Sequence, residues 1–180
     1  MKKKKVLIPI IILLIFVILF SLVSPKFFWN VLTGNVSFPE KYVDSEITLA
    51  SGKKYTVLQT LHVEVKISSP DDLAVFKVRF KFDDLSIEAN KKLSMIPAPF
   101  LMGIPGFIEK NWVFNNETGD FQGIYQWESL EFAKKYPDSF IFKLMTKRAV
   151  PGSLSYEIKP NTEISHYLEK LNSRREQHTK

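Results

Sequence analysis

Residues 6–23 (VLIPIIILLIFVILFSLV) are apolar at sixteen of eighteen positions and follow four consecutive lysines, Lys2 to Lys5. As a helix, such a run spans about 27–30 Å, the thickness of a bilayer's hydrocarbon layer. Pro9 falls in the first turns, where a missing N–H matters little. Phe27, Phe28 and Trp29 come directly after Lys26 as an aromatic belt for the far interface. A cleaved signal peptide would have an apolar core of about 7–15 residues and a small-residue cleavage site. This run is longer, and Ser21 to Ser24 (SLVS) is a poor match to such a site. The expectation is therefore an uncleaved, single-pass anchor, residues 1–29. Its basic end lies in the cytoplasm and the rest of the chain is extracytoplasmic.

The anchor changes how the charge is read. The 180 residues carry a formal +6, but the lysine cluster and the basic end (Lys170, Arg174, Arg175 and Lys180) account for all of it. The stretch between is neutral, which argues against nucleic acid as a partner. No cysteine is present, which excludes a disulfide scaffold, a thiolate metal site and a cysteine nucleophile.

Residues 30–73 read as a connecting segment with short strands. SEITLASGKKYTVL suggests two of them turning at Ser51-Gly52, and Leu61 to Ile67 alternates as another. Val75 to Phe82 alternates cleanly, with Phe76, Val78, Phe80 and Phe82 on one face and Lys77, Arg79 and Lys81 on the other. Asp84 or Ser86 caps a helix containing Ile87, Ala89 and Leu93, which the proline- and glycine-rich run 96–106 breaks. Residues 107–114 and 121–127 form a hairpin turning at 115–120. Ser129 caps a second helix, which pauses at Pro137 and restarts at Asp138 with Phe140 and Leu144 at i, i+4. Leu154, Tyr156 and Ile158 make a last strand. The order across 74–159 is β-α-β-β-α-β, an α+β ferredoxin-like arrangement with helices on one face and the other face left to water or a partner. The extension 160–180 holds Ile164, Tyr167, Leu168 and Leu171 at helical spacing and is expected to pack on the domain.

Pro105-Gly106-Phe107, Lys110 and Trp112, Gly123-Ile124-Tyr125 and a subsequent aromatic helix with Tyr136 together resemble the YdhR-like mono-oxygenase family of the dimeric α+β barrel superfamily. The resemblance covers residues 74–159 and implies a homodimer packed sheet to sheet, with a small apolar cavity between sheet and helices in each subunit. The chemistry it suggests is cofactor-free oxidation of a phenolic or quinol-like molecule, which needs a pocket that removes a proton and shields a carbanion. Asn111, Trp112, Tyr125 and Trp127 are the candidate catalytic residues, as a polar handle and aromatic walls. Alternation puts Asn111 and Trp112 on opposite faces, so at most one of them shares a face with the other two. The plain alternative is that all four serve packing alone.

Haem chemistry would need an axial ligand, but His62, His166 and His178 all lie outside 74–159. There is no H-E-x-x-H, Walker loop or G-x-S-x-G, so neither metal nor cofactor is expected. Glu109, Glu128 and Glu157 are potential bases only where buried. Two functional readings are open. One is a membrane-anchored mono-oxygenase-like domain; the other is a non-catalytic, membrane-tethered module that binds a small apolar or aromatic ligand or acts as a dimeric scaffold. The anchor itself predicts that protease added to intact cells, with the outer membrane opened where there is one, digests the domain; full protection would reverse the orientation.

Overall fold

The structure is a computed structural model that describes residues 25–48, 52–67, 69–82, 87–93 and 96–169. The apolar run 6–23 and the basic end beyond 169 lie outside the described residues. Among the described residues no helix is long and apolar enough to cross a membrane. Helix α1 (Pro25–Leu32) leads into seven antiparallel strands: β1 (Val36–Ser37), β2 (Glu46–Thr48), β3 (Lys54–Val63), β4 (Ala74–Phe80), β5 (Phe107–Phe114), β6 (Phe121–Trp127) and β7 (Ser155–Pro160). Helices α2 (Ile87–Leu93) and α3 (Ala98–Leu101) connect β4 to β5; α4 (Leu130–Lys135) and α5 (Phe140–Thr146) connect β6 to β7. Residues 164–169 form a further helix, α6.

The sheet order is β7-β4-β6-β5-β3, with β1 and β2 both paired to β3. Its first four members are the split βαβ order, so the domain is ferredoxin-like and α+β. The hairpin between β5 and β6 is closed by Asn115, whose Oδ1 accepts the N–H groups of Glu117 at 2.9 Å and Thr118 at 2.7 Å. The Ser129 hydroxyl caps α4, accepting from the Phe132 N–H at 3.3 Å.

Three expectations change. Residues 30–73 do more than connect, because they add β1, β2 and β3 to the same sheet. The strand expected at 61–67 is the end of β3, a ten-residue strand paired with β5 from Thr56↔Phe114 to His62↔Glu109. A bulge between Val57 and Gln59 bends it and inverts its alternation, which makes one strand look like two. The restart after Pro137 is capped by Ser139 rather than Asp138; the Ser139 hydroxyl accepts from the Phe142 N–H at 3.2 Å. That shift of one residue turns Ile141, Phe142 and Met145 inward and leaves Phe140 and Leu144 exposed.

Both faces of the sheet are covered. Phe76, Val78, Trp112, Phe114, Tyr125 and Trp127 point at the helices and form the larger core. On the opposite face Val57, Val75, Val113 and Ile124 are buried beneath Ile47 and the α6 residues Ile164, Tyr167 and Leu168. The face expected to await water or a partner is thus partly closed by the chain's own helix. Gln126 on β6 ties it down: its Oε1 accepts the Ile164 N–H at 2.5 Å, and its Nε2 donates to the carbonyls of Ala74 (3.0 Å) and Thr162 (3.1 Å). Leu168 is fully buried. Leu168→Ala should lower the unfolding free energy by about 2–5 kcal/mol, read from urea denaturation of the full chain in detergent.

Candidate functional site

The site grows from the pairing of β5 with β6. A bulge between Phe107 and Glu109 reverses the facing of the rest of β5, so that Phe107, Lys110, Trp112 and Phe114 all point at the helices. Lys110 lies across from Tyr125, and Trp112 across from Gly123. A side chain at Gly123 would meet the Tyr125 ring, since a Cβ there would lie 2.5 Å from Tyr125 Cε2. The glycine is what allows Tyr125 to fold back along its own strand. Leu61, Lys110, Tyr125, Phe76 and Ile158 then form one cross-strand row in which the lysine is the only cation.

Lys110 is 2% exposed. Its Nζ stands 4.2 Å from the centre of the Trp112 ring and 4.7 Å from that of Tyr125. No carboxylate pairs with it among the described residues, whose ion pairs lie elsewhere. An unpaired ammonium in such a place loses its hydration, at a cost of several kcal/mol that two ring faces, worth about 2 kcal/mol each when desolvated, only partly return. Burial therefore lowers the amine's pKa well below the ordinary lysine value. Beside it is a cavity of about 30 Å³ whose walls include Phe80, Phe82, Trp112, Phe121 and Tyr125. Arg148, stacked 4.8 Å over Phe82, stands at its solvent side. The Tyr136 hydroxyl donates to that of Tyr125 at 3.1 Å. Burial raises the pKa of both phenols, so each keeps its proton.

The four residues singled out from sequence do not form one cluster. Trp112 and Tyr125 line the cavity. Trp127 lies deeper, 5.0 Å from Tyr136 and 5.8 Å from Phe107 between ring centres, with its Nε1 unbonded. Asn111 is on the other face, as the period of two requires. There it accepts from the Thr60 hydroxyl at 2.6 Å and donates to Glu109 Oε1 at 2.8 Å, and His62 Nδ1 is 3.1 Å from Glu109 Oε2. Glu157 is half exposed and paired with Lys77. Lys110 belongs to the run that carries the family resemblance but was not among the candidate catalytic residues. Its signal was present: positions 108, 110, 112 and 114 read Ile, Lys, Trp, Phe, a cation in the apolar register of a strand.

No protein-family model matches the sequence, and no curated protein does. Among solved structures, the chain path is similar to that of an uncharacterised ferredoxin-fold protein related to antibiotic biosynthesis monooxygenases from Listeria monocytogenes. The identity is 18% and the TM-score 0.47, over 62% of this chain and 66% of that one. It is also similar to a heme-degrading enzyme of Listeria monocytogenes (18%, TM-score 0.48, 63% and 74%). A monooxygenase-like protein of Listeria innocua gives 18%, 0.46, 64% and 68%. These are likenesses of chain path alone; the ferredoxin-like assignment stands on the strand order.

A lysine in the unfolded chain titrates near about 10.4. Between that pH and the lower pKa of Lys110 in the fold, the unfolded chain holds a proton that the folded chain lacks. Stability therefore falls as pH falls through this window. Lys110→Met should raise stability at neutral pH by about 1–3 kcal/mol and flatten that pH dependence, measured by urea denaturation at a series of pH values.

Proposed function

We propose that this protein is a membrane-anchored, mono-oxygenase-like domain that oxidises a phenolic or quinol-like small molecule without a cofactor, with Lys110 as the proton acceptor. The observation that carries the reading is the Lys110 amine, buried among aromatic rings with no acid beside it among the described residues. A neutral amine in an apolar pocket takes the proton of an acidic C–H flanked by a phenol or aryl ketone. The ammonium and carbanion then hold each other where water cannot quench them. The carbanion gives one electron to dioxygen, and the two radicals join in a C–O bond. The peroxide recovers the proton from Lys110 and loses water to leave a carbonyl. A CH₂ group and O₂ become C=O and H₂O, so no external reductant is required.

The cavity as it stands accepts water or dioxygen; a benzene-sized ring occupies a cavity on the order of 150 Å³. The substrate would enter by displacing Leu93 and Pro97, which line the α2–α3 side. The YdhR-like resemblance of residues 74–159 supports the reaction class. Residues 6–23 and Lys2 to Lys5 support the anchor, and so do Trp29, Val31 and Leu32, exposed on the helix immediately after that run. A homodimer in this reading packs around α6 instead of bare sheet on sheet.

Full-length protein in detergent, free of added metal, should consume oxygen with at least one member of a panel of quinols and anthrone-like compounds. Lys110→Gln should lower the rate about 10²–10⁴-fold. The wild-type rate should rise with pH through the lowered pKa of the amine and then level, because only the neutral amine accepts a proton. No uptake across the panel, together with an apolar molecule that co-purifies unchanged, would leave the non-catalytic binding module as the function.

A further inference from the structure

Among the described residues, the walls of the Lys110 cavity hold two basic side chains and no acid: Lys110 within and Arg148 at the mouth. The backbone fixes Arg148 there. Its N–H donates to the Met145 carbonyl at 3.3 Å, Ala149 next to it bridges Phe82, and the Val150 N–H donates to the Lys81 carbonyl at 2.8 Å. The segment after α5 is thus pinned along the end of β4, which sets the guanidinium 4.8 Å over the Phe82 ring. A ring contact engages the flat face of a guanidinium and none of its N–H donors. No carboxylate pairs with Arg148 among the described residues, so that edge is unspent.

Charge balance narrows what this pair can hold. Proton transfer to Lys110 leaves one ammonium facing one carbanion, so a neutral substrate needs no second cation. Arg148 stays charged throughout and matches a substrate that brings a negative charge of its own. Removing a proton from such an anion leaves two negative charges, one met by the Lys110 ammonium and one by Arg148. A carboxylate fits the free guanidinium edge, because its two oxygens accept parallel N–H donors and it carries a single charge. A phosphate monoester would bring nearly twice that charge to a single arginine.

The mouth also lies where a charged molecule can reach it. Phe80 and Phe121, paired across β4 and β6, mark one end of the sheet, whereas Val63 pairs with Val36, just after α1, at the other. The seven residues of β4 put roughly 20 Å between the two ends. With the anchor preceding α1, the mouth opens toward water and away from the bilayer. Building on the oxidation described above, we propose that the substrate is a water-borne aromatic carboxylic acid, its carboxylate held by Arg148 at the mouth and its acidic C–H turned toward Lys110.

The test is calorimetric titration of the full chain in detergent with 4-hydroxybenzoate and, at matched ionic strength, its neutral isostere 4-hydroxybenzamide, each corrected for uptake by empty micelles. The acid should bind at least about tenfold more tightly than the amide. Arg148→Gln should weaken the acid about tenfold and leave the amide unchanged, and Arg148→Lys should restore only part of the loss, since an ammonium lacks the bidentate fork. Binding of neither probe, equal binding of both, or an acid preference that survives in Arg148→Gln would overturn the proposal. Binding and turnover separate it from the reading on which it builds. Acid-selective binding with no oxygen uptake by any phenol would remove the catalysis and keep the carboxylate site; oxygen uptake with neutral quinols and no acid preference would do the reverse.

Discussion

The register of β5 against β6 decides where every side chain of interest points. One extra residue at the bulge between Phe107 and Glu109 is enough to send Lys110 and Trp112 into the helix-covered interior and Glu109 and Asn111 to the opposite side. Without it, Phe107 would turn away from the core along with Glu109. The rest of the architecture accommodates this choice. Gly123 leaves room for the Tyr125 ring, and Tyr136 supplies the hydroxyl that Tyr125 would otherwise lack.

That interior is costly in one respect and rigid in another. A buried amine with no counter-ion opposes folding, and the unbonded Trp127 Nε1 adds to the strain. Against these stand edge-on ring contacts linking Phe76 to Tyr125, Tyr136 and Phe142 at 5.1–5.9 Å. Such packing holds Lys110 in place more firmly than a loop would. A group that opposes folding yet sits in a well-ordered setting is the pattern expected of a site selected for chemistry.

The strands with one apolar face were readable from period alone, and Phe76, Val78 and Phe80 fell as their alternation requires. The hairpin was equally clear because Asn115 to Asp120 offers nothing else. What periodicity hides is a bulge: β3 changes face at Val57/Gln59, so its halves look like separate strands, and the segment 30–73 looks like a linker. The site was legible only in part for a related reason. Aromatic residues draw attention as pocket walls, but the informative residue was a charged one occupying an apolar position.

The helix α6 has a consequence for the order of events during synthesis. The sheet's second face carries Val57, Val75, Val113 and Ile124, all present long before residues 164–169 leave the ribosome. Until then the nascent chain displays an apolar sheet surface to whatever is nearby. Gln126 must also wait, its amide oxygen unmatched until the Ile164 N–H arrives. The sheet's second face is therefore closed only once α6 has emerged, and a chain stalled or cut before residue 164 would be a sticky half-covered sheet rather than a slightly shorter protein.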